Sequence, residues 1–165
     1  MNTVLRLVGL AAVTALGFCL WIIFFPSPEK MVLRKISSLA TTATFSAADG
    51  NIARANKASN FVGYFAVDAQ IIIDGSGQTA RTLSGRDEIR ESALGGFGGI
   101  SALKVQFLDV TVRIGTDKET ADVDCTVRAL AGDSKDFGVQ EMHFQLKKVD
   151  GTWLITRTET VKTLL

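Results

Sequence analysis

The chain is poor in the residues that build metal centres and covalent staples. It has two cysteines and one histidine in 165 residues. Cys19 sits in an apolar N-terminal run and Cys125 in a segment that alternates like a strand. Neither falls at a ligand spacing with the other or with His143, so the sequence offers no zinc site and no disulfide framework. An excess of charge of one sign is also missing. The 18 basic residues face 17 acidic ones for a net charge of +1, and the two signs are interspersed. That balance speaks against nucleic acid as a partner and against a polybasic membrane patch. Repeats and low-complexity tracts are absent, and no cofactor signature is found.

What the chain does have is one long uncharged stretch. Residues 7–25, LVGLAAVTALGFCLWIIFF, contain nineteen residues without a charge; as a helix they would reach about 28 Å, close to the ~30 Å hydrocarbon core of a bilayer. The run ends in bulky WIIFFPSP where a cleavable signal peptide has small residues, so an uncleaved anchor over residues 1–26 is expected. Phe18 stands where a lipidation motif before Cys19 needs a small side chain. Pro26 and Pro28 stop the span, and Trp21 suits an interfacial position. Ala11, Ala15 and Cys19 recur every four residues with Gly9 and Ala12 nearby, a small-residue strip along which another membrane helix, or a second copy, can pack. A count of flanking positive charges favours a cytoplasmic domain. Analogy with bacterial signal anchors that follow a six-residue tail favours a periplasmic one, and the periplasmic, single-pass arrangement is the expectation carried forward.

Residues 27–165 form the second unit. Ser27, Pro28 and Glu29 make a helix start, with a capping hydroxyl, proline in the first turn and an acid at the positive end of the dipole. Val32, Leu33, Ile36, Leu39, Ala40 and Ala43 follow at helical spacing, and Asp49-Gly50 supplies a stop. A second helix carries Ile52, Ala55, Phe61, Val62 and Phe65 as its stripe, after which AVDAQIII turns β-like and ends at DGSGQ. Residues 83–100, LSGRDEIRESALGGFGGI, place Ser84 as a cap, with Asp87 and Glu88 in the first turn and Ile89, Ala93 and Leu94 on a narrow apolar face. GGFGG lacks the lysine and hydroxyl of a phosphate loop and follows a helix instead of opening one. It reads as a helix terminator and hinge, with Phe97 as a plug.

After Ile100 the pattern is alternation. In LKVQFLDVTVRI the apolar phase runs Leu103, Val105, Phe107 and then Leu108, Val110, Val112, Ile114, the shift a β-bulge produces. ADVDCTVRAL, VQEMHFQLKKV and TWLITRTETVK continue as strands, joined by turns at GTDKE and VDG, as consecutive antiparallel partners.

Helix, helix, strand, short strand, helix and a four-strand meander is an α+β order. With GYFAVDAQIIIDG, SGRDEIRE and DGTWLITRTET, the chain from about residue 28 onward resembles the nuclear-transport-factor-2-like superfamily, which includes SnoaL-like proteins and ketosteroid isomerases. The resemblance implies a cone-shaped, curved antiparallel sheet wrapped on the helices and enclosing a pocket open at one end. Ketosteroid isomerases use a carboxylate base with a tyrosine and a protonated acid. Here Asp74 falls one residue late for the base and the first helix has no tyrosine, so no catalytic set is assigned.

Four residues are candidates for lining a ligand pocket. The resemblance implies that Asp68 can be the acid that many family members place inward on this strand, and an aspartate at a helix-to-strand junction can equally serve as a cap. Glu141 and His143 share one face of their strand with Gln145, and on a curved sheet that row either faces solvent or lines the cone. In the second case Arg157 on the last strand can face it, and His143 is the side chain suited to acid/base work near neutrality. Asp122 and Asp124 read as solvated. Two functional classes follow. One is a membrane-anchored, non-enzymatic accessory or assembly subunit of a membrane complex, similar in layout to the periplasmic scaffold subunit of type IV secretion systems. The other is a binder or isomerase/cyclase-type enzyme for a small apolar molecule. The missing catalytic set favours the first.

Overall fold

The protein is described from a computed structural model, in which residues 27–74, 81–132, 134 and 137–161 are placed. Among these no helix is long and apolar enough to cross a membrane. The apolar run 7–25, with Gly9, Ala11, Ala12, Ala15 and Cys19, lies outside the described residues.

Helix α1 spans Pro28–Ala43 and starts as its sequence dictates, with the Ser27 hydroxyl accepting from the Lys30 amide at 3.4 Å. Its buried residues, Val32, Ile36, Leu39 and Ala43, step by four, three and four, which is one face of a 3.6-residue helix. Helix α2, Asn51–Val62, buries Ala58 and Val62. Ile52 does not join the expected stripe and is 81% exposed. The first turn of α2 is fastened instead by Arg54, which donates to the carbonyls of Asp49 at 3.0 Å and Ile100 at 2.9 Å.

Six strands follow or flank helix α3, Gly85–Gly99: β1 Phe65–Ile73, β2 Arg81–Ser84, β3 Leu103–Ile114, β4 Thr120–Ala131, β5 Gly138–Val149 and β6 Thr152–Thr160. They form one sheet in the order β2-β1-β6-β5-β4-β3. The expectation of a wholly antiparallel sheet fails at one seam, where β1 and β6 are parallel. The chain leaves β1, makes β2, α3 and three more strands, and returns; a connection of that length removes the hairpin constraint that forces neighbours to run opposite ways.

The curvature comes from irregular pairing. β3 carries the bulge that its alternation announces: Leu108 pairs with Thr126 and Thr111 with Asp124, so β3 spends one residue more than β4, and Asp109 takes φ 53°. The inward phase resumes at Val110, and Leu108 is left exposed. β1 has a larger break between Phe65 and Gln70. The Phe65 carbonyl there is satisfied by Arg86, which donates through Nε at 3.1 Å and also through Nη2. β6 has a third irregularity, opposite Gln145 and Leu146. Bulges bend strands and increase twist, and three of them curl the sheet around α1 and α3.

Two expectations for the third helix are corrected. Ser84 makes no side-chain cap bond; its amide donates to Glu88 Oε2 at 2.7 Å. GGFGG does not follow the helix but forms its last turn, since α3 runs through Gly99 and ends there. Ile89, Ala93 and Phe97 step by four into the core, and this packing holds helical a segment that glycine disfavours by propensity.

Candidate functional site

Between α3 and the inner face of the sheet lies a cavity of about 340 Å³. Phe61, Phe65, Phe97, Phe107 and Phe144 form much of its wall, with aliphatic side chains from α1, β1, β3 and β4. Phe97 is the plug expected of it: it is buried, with its ring centre 5.1 Å from that of Phe45 and 5.8 Å from that of Phe61. Twenty described residues line the cavity, and only Ser92 and Thr158 among them carry a polar side chain. None is ionisable. Thr158 is 2% exposed and its hydroxyl has no hydrogen-bond partner among the described residues.

None of the four sequence candidates lines this cavity. Asp68 is exposed on β1. Glu141 and His143 alternate with Met142 and Phe144, which do line it, so their side chains leave the opposite face of the sheet. Arg157 is displaced for a different reason. Trp153 and Ile155 are buried, and strict alternation would put Arg157 beside them. The irregularity in β6 pairs Ile155 with Leu146 but Arg157 with Gln145, and this shifts the phase by one residue. Thr158 turns inward in its place, and Arg157 turns outward to donate to Glu159 Oε2 at 3.0 Å. Sequence reasoning missed Thr158 because a bulge in β6 leaves no mark in the apolar pattern of TRTET.

The outward row is a charge network. His143 Nδ1 lies 2.7 Å from Asp124 Oδ1, and Nε2 lies 3.3 Å from Asp122 Oδ1. Arg113 Nη2 is 2.5 Å from the second oxygen of Asp124. The hydrogen bond from His143, then Arg113, hold the Asp124 carboxyl below the usual carboxylate range. The aspartates expected to be merely solvated are therefore the partners of the histidine. An aspartate that orients an imidazole is half of a nucleophilic device, but no hydroxyl or thiol among the described residues hydrogen-bonds to His143. Glu141, exposed, borders a hollow of about 260 Å³ on this side with Asp109 and Asp124. Cys125 supplies no nucleophile either: burial, reinforced by the Asp124 charge, pushes its thiol up to about 12. Among the described residues no group of His, Cys, Asp and Glu could hold a metal ion.

A helix-backed, curled sheet around an apolar cavity has relatives. The profile of the SnoaL-like domain matches residues 42–159. The chain belongs to the SnoaL-like family. Solved structures share the fold at low identity. An NTF2-like protein with a cystatin-like fold from Novosphingobium aromaticivorans is 17% identical over 89% of this chain and 87% of its own, with a TM-score of 0.63. A candidate scytalone dehydratase from the same organism is 16% identical over 82% and 84%, with a TM-score of 0.59. A candidate aromatic ring hydroxylase, also from Novosphingobium aromaticivorans, is 18% identical over 82% and 88%, with a TM-score of 0.61. Among curated proteins no sequence matches the chain. At these identities the likeness extends to the SnoaL-like fold and no further.

Proposed function

We propose that this SnoaL-like domain is a receptacle for a small neutral apolar molecule and performs no proton-transfer chemistry on it. The observation that carries the reading is a 340 Å³ cavity without an ionisable residue in its described wall. General acid/base catalysis needs a titratable group within hydrogen-bond reach of the reacting atom, and the isomerase-type carboxylate and tyrosine have no counterparts among the described residues of the wall. The walls favour a compact ring compound. An apolar cavity of about 150 Å³ takes up benzene, so roughly twice that volume suits two fused rings. The name of one fold neighbour, a candidate aromatic ring hydroxylase, fits a wall with five phenylalanines.

Naphthalene is the simplest probe. The full-length chain should bind it and unfold several degrees higher in its presence, because a ligand that binds only the native state stabilises it by mass action. Absence of binding up to the solubility limit would sink the receptacle reading. Conversion of a β,γ-unsaturated ketone to its conjugated isomer by the purified chain would sink the non-catalytic half.

The uncharged run ahead of α1 motivates the second part of the reading: the receptacle is tethered to a membrane, faces the extracytoplasmic side and serves there as an accessory subunit. The strip of Gly9, Ala11, Ala12, Ala15 and Cys19 is the surface that would meet a partner helix or a second copy. A tethered chain stays in the membrane pellet through a carbonate wash and keeps its N-terminus. A mature chain that begins near Pro26 would show that the run is a cleaved leader.

A further inference from the structure

Thr158 is the one group in the inner wall whose chemistry does not match its surroundings. Its register partners are Phe144 on one side and Ile71 on the other, and both line the cavity. It is 2% exposed, the only polar or charged residue among the buried described ones, and, like the indole N–H of Trp153 away from the cavity, its hydroxyl has no hydrogen-bond partner among the described residues. A buried hydroxyl without a partner is costly, and native proteins retain few of them. Valine has nearly the same shape and would fill the position without that cost. The second polar residue of the wall, Ser92, sits half-buried on α3 and is not shut away from water in the same manner.

We infer that Thr158 is the specificity-determining contact of the cavity, and that the ligand is a neutral, otherwise apolar molecule with one oxygen, a hydroxyl or a carbonyl, that hydrogen-bonds to it. The inference rests on the receptacle reading. A β-branched threonine has few allowed χ1 rotamers, and ligand recognition requires one of them to turn the Thr158 hydroxyl toward the cavity, where a ligand oxygen can meet it. A hydroxyl both donates and accepts, and therefore a phenol and a ketone can each be held. A charged ligand is disfavoured, because no described residue of the wall offers it a counter-charge.

The test compares naphthalene with 2-naphthol on the full-length parent chain and on Thr158→Val and Thr158→Ser, by equilibrium dialysis against a protein-free blank of the same buffer and detergent. Thr158→Val should weaken 2-naphthol about tenfold, the effect of one net hydrogen bond, and leave naphthalene within about twofold. Thr158→Ser, which keeps the hydroxyl, should retain most of the 2-naphthol affinity. If 2-naphthol binds the valine variant as well as the parent, or if both probes weaken together, Thr158 is only a piece of wall and the inference is overturned. If neither probe binds the parent, the receptacle reading itself has failed. A naphthalene signal without discrimination at Thr158 leaves that reading standing and removes this one.

Discussion

Replacing Phe97 by alanine is expected to destabilise the domain by about 3 kcal/mol, the lower end of the cost of removing a core phenylalanine. The ring is buried, touches both Phe45 and Phe61, and is the last of three residues through which α3 reaches the core. For a domain of this size the loss corresponds to a fall of roughly 10 °C in the unfolding midpoint. The cost lies at the lower end because the vacated space is not a new isolated void but opens into the existing cavity. That gives a second readout. The variant should accept pyrene, which is too bulky for the parent, and recover part of the lost midpoint on binding it. Thermal unfolding with and without pyrene measures both. A midpoint within 2 °C of the parent's, on the same scaling of stability with midpoint, would mean that Phe97 fills space without holding α3 in place.

The parts of this molecule that the amino-acid order announces are those where a local rule and a global one agree. Ser27-Pro28-Glu29 caps a helix in any context, and α1 begins there. The phase shift in LKVQFLDVTVRI needs an extra residue, and the bulge sits at Asp109 and Val110 between two regular pairings. The turns at GTDKE and VDG are equally local. In the first, Asp117 Oδ1 accepts from the amides of Glu119 and Thr120 at 2.9 and 3.0 Å; in the second, Asp150 and Gly151 take φ 49° and 78°.

Where the reading stopped short, a distant partner decided the outcome. Nothing local in β1 or β6 specifies that they lie side by side and parallel, because that pairing is made by segments some eighty residues apart. The site suffered most from this. Alternation correctly puts Glu141, His143 and Gln145 on one face, but which face depends on where the helices pack. The ion pairs of Asp122 and Asp124 with His143 then follow from a cross-strand register that the sequence does not spell out. Arg157 and Thr158 exchange faces through an irregularity opposite a strand that is not their own extension. Of the apolar wall, Leu103, Val105 and Phe107 were legible from the alternation of β3, whereas Phe65, read as part of a helix stripe, opens β1, and the wall became a cavity only once the bulges had curled the sheet against the helices.

The segment that carries Phe97 leads to the other large effect expected here. Substituting alanine for Gly95, Gly98 and Gly99 together should stabilise the domain by about 2 kcal/mol, since each glycine in a helix interior costs up to about 1 kcal/mol relative to alanine and the last position counts for less. The gain requires that the new methyl groups meet no obstacle and that the backbone is already helical. Both conditions hold. A Cβ built at any of the three has no heavy atom within 4 Å, and none of these glycines has a positive φ. Gly96 is left alone because it lines the cavity, where a methyl group would take space from a ligand. Four open-space glycines around one buried phenylalanine are not explained by packing, and their physical effect is to leave the C-terminal half of α3 only lightly committed to the helix. The triple variant therefore separates two consequences. Its unfolding midpoint should rise by about 6 to 8 °C, and amide exchange across residues 94–99 should slow in step. The rate at which naphthalene enters the cavity should fall, with its affinity changed little, because the wall formed by Phe97 then opens less often. An unchanged midpoint would show that the segment is held by its contacts alone, and an unchanged entry rate beside a raised midpoint would mean that ligand reaches the cavity by another route.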